Sequence, residues 1–156
     1  FPVNGRFSPP QKEIYEIVLD AQKQAIASIM PGEDVNKPHE IVCEIITRGL
    51  MKLGIMEDVS NLREFYMHGT GHWLGLDVHD VGTKESGNLF REFQVGMVTT
   101  VEPGIYIRKD DKIDPKYWNI GIRIEDDVLV TIDGNHVLSA AAIKNIDDIE
   151  LLMSHR

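Results

Sequence analysis

Apolar residues recur at helical spacing in the first third of the chain, then give way to short extended runs. Ile14, Ile17, Val18, Ala21, Ala25 and Ile29 share one face of a 3.6-residue repeat and predict an amphipathic helix. Ser8-Pro9-Pro10-Gln11 reads as its start, with a serine N-cap, proline in the first helical positions and a glutamine placed to close a capping box. Pro31-Gly32 predicts its end at Met30. A second helix is expected from Asn36 or Lys37, with Pro38 in its first turn. It carries Ile41, Val42, Ile45, Ile46, Gly49, Leu50 and Leu53, and Gly54 is its natural C-terminal cap.

From about residue 67 the pattern changes to extended segments punctuated by Gly, Pro, Asn and Asp. Met97 to Glu102 is rich in β-branched residues and predicts a strand, broken by Pro103-Gly104 and resumed at Ile105-Tyr106-Ile107. Ile120 to Glu125 and Val128 to Thr131 predict two more, and Asp133-Gly134 predicts a tight turn before His136-Val137-Leu138. Asp147 to Met153 reads as a last short helix. With no repeat, linker or composition shift, residues 1–156 are expected to form a single unit of α+β class: two leading helices on a mostly antiparallel sheet, then a short C-terminal helix.

Composition narrows the function more than the fold. A chain of 156 residues can remove roughly 70% of its unfolded surface from water, enough for its own core. Its net charge of −9, from 25 acidic against 16 basic residues, argues against a nucleic-acid partner and against docking on anionic lipid. No apolar run approaches the roughly 20 residues of a membrane span. The one cysteine, Cys43, sits among Ile41, Val42, Ile45 and Ile46 and is expected to be a small buried residue in a reducing, cytoplasmic setting. Phe1, rather than an initiator Met, opens the chain and suggests a missing start.

Chemistry concentrates in Met67-His68-Gly69-Thr70-Gly71-His72-Trp73-Leu74-Gly75-Leu76-Asp77-Val78-His79-Asp80. Three of the six histidines of the chain fall here within twelve residues, among glycines that let backbone approach an ion or substrate. Two carboxylates that read as buried follow. Glu102 ends a Val- and Thr-rich strand, where a charge needs a partner such as a metal. Glu125 ends Ile122-Arg123-Ile124-Glu125, in which alternation sets the isoleucines on one face and Arg123 with Glu125 on the other. One histidine and two glutamates suffice for one zinc-like ion with an open position. They are too few for two divalent cations, so either one metal binds or further ligands lie outside the chain.

Three ordered motifs carry a resemblance to a known family. His68 to Gly82, Gly96 to Tyr106 and Gly121 to Asp127 resemble the proline-specific metallopeptidases of the pita-bread fold, and the Trp73 form of the histidine motif places bacterial Xaa-Pro aminopeptidases ahead of prolidases. The resemblance runs over essentially the whole chain. It implies that His72, Glu102 and Glu125 ligate metal, with Glu125 bridging two ions. It implies that His68 and His79 contact substrate and support the oxyanion, that Glu102 moves a proton, and that Arg123, Asp77 and Tyr106 support the site.

The family site has two further aspartate ligands upstream of the segment matching Phe1 to Gly5. The resemblance therefore implies the C-terminal portion of a pita-bread catalytic domain, without the N-terminal domain and the upstream ligand segment. It further implies two Mn(II) ions per complete site, with Zn, Co or Fe as alternatives. This chain alone is expected to bind none, or one weakly, and to be inactive by itself. The parent protein is expected to be a homo-oligomer acting on peptides with an Xaa-Pro N-terminus. The alternatives are a prolidase acting on dipeptides and a non-catalytic pita-bread module that binds peptides or proteins.

Overall fold

A computed structural model describes residues 1–86 and 89–154. Helix α1 (Pro9–Ala27) packs against α2 (Lys37–Lys52), and the inward faces are those the apolar spacing marks. Ile14, Val18, Ala21, Ala25, Val42, Ile46 and Leu50 are fully buried, while Ile17 and Ile41 lie at the rim of the core. Ser8 N donates to Gln11 Oε1 at 2.8 Å, the backward half of a capping box. At the other end of α2, Gly54 N donates to Met51 O and Ile55 N to Leu50 O, both at 3.0 Å. Gly54 has φ +68°, the left-handed turn that makes this pair of bonds possible.

α1 ends at Ala27, three residues before the proline-based expectation. Its last carbonyls are taken by other partners before the proline can act. Asn135 Nδ2 donates to Ile26 O at 2.9 Å and to Ile29 O at 3.1 Å, and Ser28 Oγ donates to Ala25 O at 2.7 Å. A short helix α3 (Leu62–Phe65) follows a 3₁₀ turn and leads into the histidine-rich loop.

Every strand pair among the described residues is antiparallel. β1 (Glu85–Ser86) pairs with β2 (Leu89–Phe90). β3 (Val98–Val101) pairs with β6 (Asp126–Thr131), which pairs with β7 (Gly134–Val137). β4 (Gly104–Ile107) pairs with β5 (Ile120–Arg123). The β6–β7 turn is Ile132-Asp133, because Thr131 pairs with Gly134; the turn sits one residue earlier than the Asp-Gly signal suggests. Strand side chains Val101, Ile105, Ile107, Val128 and Val130 complete the core under α1. Helix α4 (Ile146–Ser154) closes the described chain. None of the described helices is long and apolar enough to cross a membrane.

One property of the ladders positions the site. The β3–β6 pairing ends at Val101 opposite Asp126, and the β4–β5 pairing begins at Gly104 opposite Arg123. The register is the same on both sides of the gap, so Glu102 falls opposite Glu125 and Pro103 opposite Ile124. Proline has no N–H to give the ladder, and there the strands part. The only bond recorded across the gap among the described residues is Ile124 N to Pro103 O, at 3.3 Å.

Candidate metal centre

The break between the ladders sets two carboxylates face to face, and the histidine loop supplies the third group. One donor atom each from His72, Glu102 and Glu125 lies within 4.8 Å of the others. That is the scale of a single coordination shell, in which ligand bonds run about 2.0–2.2 Å. Glu102 is buried, as the strand pattern predicts. Glu125 is exposed, against the expectation of burial, because β5 stops at Arg123 and leaves it on the open side of the break.

His72 is brought to the carboxylates by backbone pairing. Thr100 N and Thr99 Oγ1 donate to His72 O at 2.9 and 3.0 Å, and His72 N donates to Thr100 Oγ1 at 3.0 Å. Gly71 makes that approach possible: a Cβ there would lie 1.9 Å from Thr100 O. Lys84 Nζ, partly buried, donates to Gly71 O and holds the loop from its other side. Burial pushes the Lys84 ammonium pKa down, with Glu102 pulling it back up.

The imidazole protons can be assigned from their partners. His72 Nδ1 lies 3.0 Å from Trp73 O, and a carbonyl only accepts, so Nδ1 carries the hydrogen. The neutral ring then turns a lone pair at Nε2 toward Glu102 Oε1, 3.3 Å away. Two lone pairs facing each other need a proton or a cation between them. Glu102 Oε1 also accepts from Thr100 Oγ1 at 3.1 Å, and its Oε2 meets Arg123 Nη1 at 3.4 Å. Although the Glu125 side chain is exposed overall, the site around it strips part of the water from its carboxyl, and this partial desolvation, then repulsion from Glu102 and Asp127, raises its pKa above the usual range. An imidazole and two carboxylates with open positions beside them fit a divalent cation of the Mn, Fe, Co or Zn type.

The other sequence candidates surround this cluster unequally. Arg123 Nε donates to Tyr106 Oη at 2.7 Å, and Tyr106 Oη lies 3.0 Å from His68 Nε2. His68 Nδ1 is 2.8 Å from Gly69 O, so in the neutral ring Nε2 accepts the tyrosine proton. The His79 ring is exposed and meets the His72 ring edge-on, with centroids 4.4 Å apart. Asp77 is also exposed; its backbone oxygen accepts from Gly75 N at 3.2 Å.

Sequence reasoning missed His39, which stands in the first turn of α2. Its Nδ1 lies 2.9 Å from Thr70 Oγ1, which lies 2.7 Å from Tyr66 Oη. The available signal was spacing, since His39, Cys43, Ile46 and Leu50 follow one another at i, i+4, i+7 and i+11 on the inward face. Cys43 itself is half-buried rather than buried, with Sγ 3.6 Å from His39 Nε2.

Comparison with known proteins gives the family and the fold. The profile of metallopeptidase family M24 matches residues 1–132. The Xaa-Pro aminopeptidase of Haemophilus influenzae is 53% identical over 99% of this chain, which spans 37% of that protein. The solved structure of Pseudomonas aeruginosa aminopeptidase PepP superposes with a TM-score of 0.95 at 49% identity, covering 99% of this chain and 37% of its own. Aminopeptidase P from E. coli with the inhibitor Pro-Leu gives 0.92 at 45%, over 99% of this chain and 37% of its own. The fold is the expected pita-bread arrangement, α+β with antiparallel ladders and a short C-terminal helix.

Proposed function

This chain belongs to metallopeptidase family M24, and from that premise we propose that it supplies the C-terminal half of the metal site of an Xaa-Pro aminopeptidase. The substrate is a peptide with proline in second place, and the product is its released N-terminal residue. The observation that carries the proposal is the in-register pair Glu102 and Glu125 with His72 Nε2 turned toward it. Two Mn(II) ions are proposed for the complete site, with carboxylate ligands beyond these three supplied by other residues of the protein. A homo-oligomer and a cytoplasmic setting belong to the same proposal.

Divalent cations in such a site acidify water and polarise a carbonyl, making both ready for peptide hydrolysis. The residues of this chain do the rest. Glu102 is the group to receive a proton and pass it to the leaving nitrogen, since Thr100 holds one of its oxygens and Arg123 the other. Arg123 offsets the charge of Glu102 and, through Tyr106, holds the His68 ring. His79, edge-on to His72, is the ring that presents an N–H to the developing oxyanion, and His68, whose two nitrogens are engaged by Gly69 O and Tyr106 Oη, contacts the substrate through its ring. Asp77 is a weaker participant, on the exposed part of the loop.

A manganese-loaded sample of the full polypeptide tests the reading against a panel of Xaa-Pro dipeptides and longer Xaa-Pro peptides. Cleavage of the longer peptides supports the aminopeptidase. Cleavage confined to dipeptides would replace it with a prolidase, and no cleavage of either would leave a binding module.

A further inference from the structure

We infer that His39 is a positioning residue for the metal centre, acting through the hydroxyl of Thr70 on the loop that carries His68 and His72. The inference rests on the proposed metallopeptidase reading and deepens it. Thr70 is 4% exposed and is joined to the site in two ways. Its carbonyl accepts from Glu102 N at 2.7 Å, a bond that fixes the backbone of a ligand carboxylate. Its hydroxyl lies between His39 Nδ1 and Tyr66 Oη, and the Tyr66 ring packs edge-on against His68 with centroids 4.9 Å apart.

Counting protons gives this chain of bonds one direction. Thr70 and Tyr66 have one hydroxyl proton each, and Tyr66 is 3% exposed, so a proton left without an acceptor there is costly. With His39 neutral and Nδ1 unprotonated, Tyr66 donates to Thr70, Thr70 donates to His39 Nδ1, and His39 Nε2–H donates to Cys43 Sγ at 3.6 Å. With hydrogen on Nδ1 instead, Thr70 Oγ1 accepts from His39, and one of the two hydroxyl protons, that of Thr70 or that of Tyr66, is left without an acceptor among these groups. Burial, then the nearby Lys84 charge, lowers the His39 pKa and keeps the ring neutral; Glu40 opposes them. His39 thus fixes the rotamer of Thr70 from outside the ligand set, as outer partners of metal ligands do elsewhere.

The test is a manganese titration of the full polypeptide, reading free Mn(II) by its paramagnetic resonance signal, in four forms. His39→Leu keeps the bulk and removes the acceptor; the side-chain oxygen of His39→Asn takes the place of Nδ1. Thr70→Val removes the hydroxyl without touching His39. His39→Leu and Thr70→Val are expected to bind manganese on the order of tenfold more weakly than wild type, and His39→Asn to recover most of the loss. In Xaa-Pro peptide cleavage the two weak forms should lose kcat with little change in KM. Wild-type affinity in His39→Leu, or no recovery in His39→Asn, would overturn the role. If His39→Leu does not fold, full affinity in Thr70→Val overturns it instead. Should the affinities order as expected while wild type cleaves no Xaa-Pro peptide, the peptidase reading fails and the positioning role stands.

Discussion

Glu102 stands opposite Glu125 across the gap where two antiparallel ladders part, in the register that both ladders share. Like charges placed directly opposite on neighbouring strands destabilise a sheet. The arrangement is understandable if a cation belongs between them, and His72 Nε2 completes the group of donors. The facing carboxylates repel each other in the metal-free protein, and a cation held by the proposed centre would relieve that repulsion.

Glu125 gives that repulsion a pH dependence. Its pKa is raised in the folded state, first by partial desolvation of the carboxyl and then by Glu102 and Asp127, so the native protein holds this proton more tightly than the unfolded chain does. Its contribution to metal-free stability is fully present below the ordinary glutamate pKa of about 4.3 and is lost as pH rises through the raised value. Glu125→Gln should flatten this part of the stability profile and raise the metal-free melting temperature at neutral pH. The same substitution should weaken manganese binding by at least about a hundredfold, since even outer partners of ligands cost ten- to a hundredfold. Thermal melts across acid to neutral pH, with and without metal, check both; an unchanged pH slope would refute the account of Glu125.

Two glycines of one loop should behave oppositely. Gly71→Ala puts a methyl group 1.9 Å from Thr100 O, so the pairing that presents His72 must open. Gly69→Ala meets nothing closer than Gly71 O at 4.0 Å. The first should cost on the order of 2–3 kcal/mol and most of the metal affinity. The second should stay within about 0.5 kcal/mol. Denaturant midpoints compare them directly, and equal effects would mean that the close approach at Gly71 is not what sets the loop.

Asp126, next to Glu125, is 2% exposed and anchors β6 to two other parts of the chain. It accepts from Ser139 Oγ at 2.5 Å, Lys144 Nζ at 2.9 Å and Gln22 Nε2 of α1 at 3.1 Å. Asp126→Ala strands the lysine and the buried glutamine and should cost roughly 3–5 kcal/mol. Chemical unfolding measures it, and a loss below about 1 kcal/mol would show that the three donors find other partners.

What could be read from the sequence divides along physical lines. Helix faces and caps are local, so the Ile14 to Ile29 stripe and the Ser8–Gln11 box were legible, and His72, Glu102 and Glu125, singled out by their motifs, come together within 4.8 Å. The end of α1 was not, because the side chain that captures its last carbonyls is Asn135, more than a hundred residues away. The register that sets Glu102 against Glu125 is likewise a property of pairing, invisible in either strand alone. His39 and Gln22 escaped because each is a polar residue on an otherwise apolar helix face, and only the tertiary partners Thr70 and Asp126 explain their burial. Glu125 read as buried because alternation predicts a face and says nothing of where a strand stops.

The most direct test of the central claim is release of the N-terminal residue from an Xaa-Pro peptide by the full polypeptide, assayed with and without Mn(II), in wild type and in His72→Ala. The structure predicts manganese-dependent release by wild type and none above background in His72→Ala, with the variant still folded. Undiminished cleavage by His72→Ala would contradict the assignment of this cluster as the metal centre.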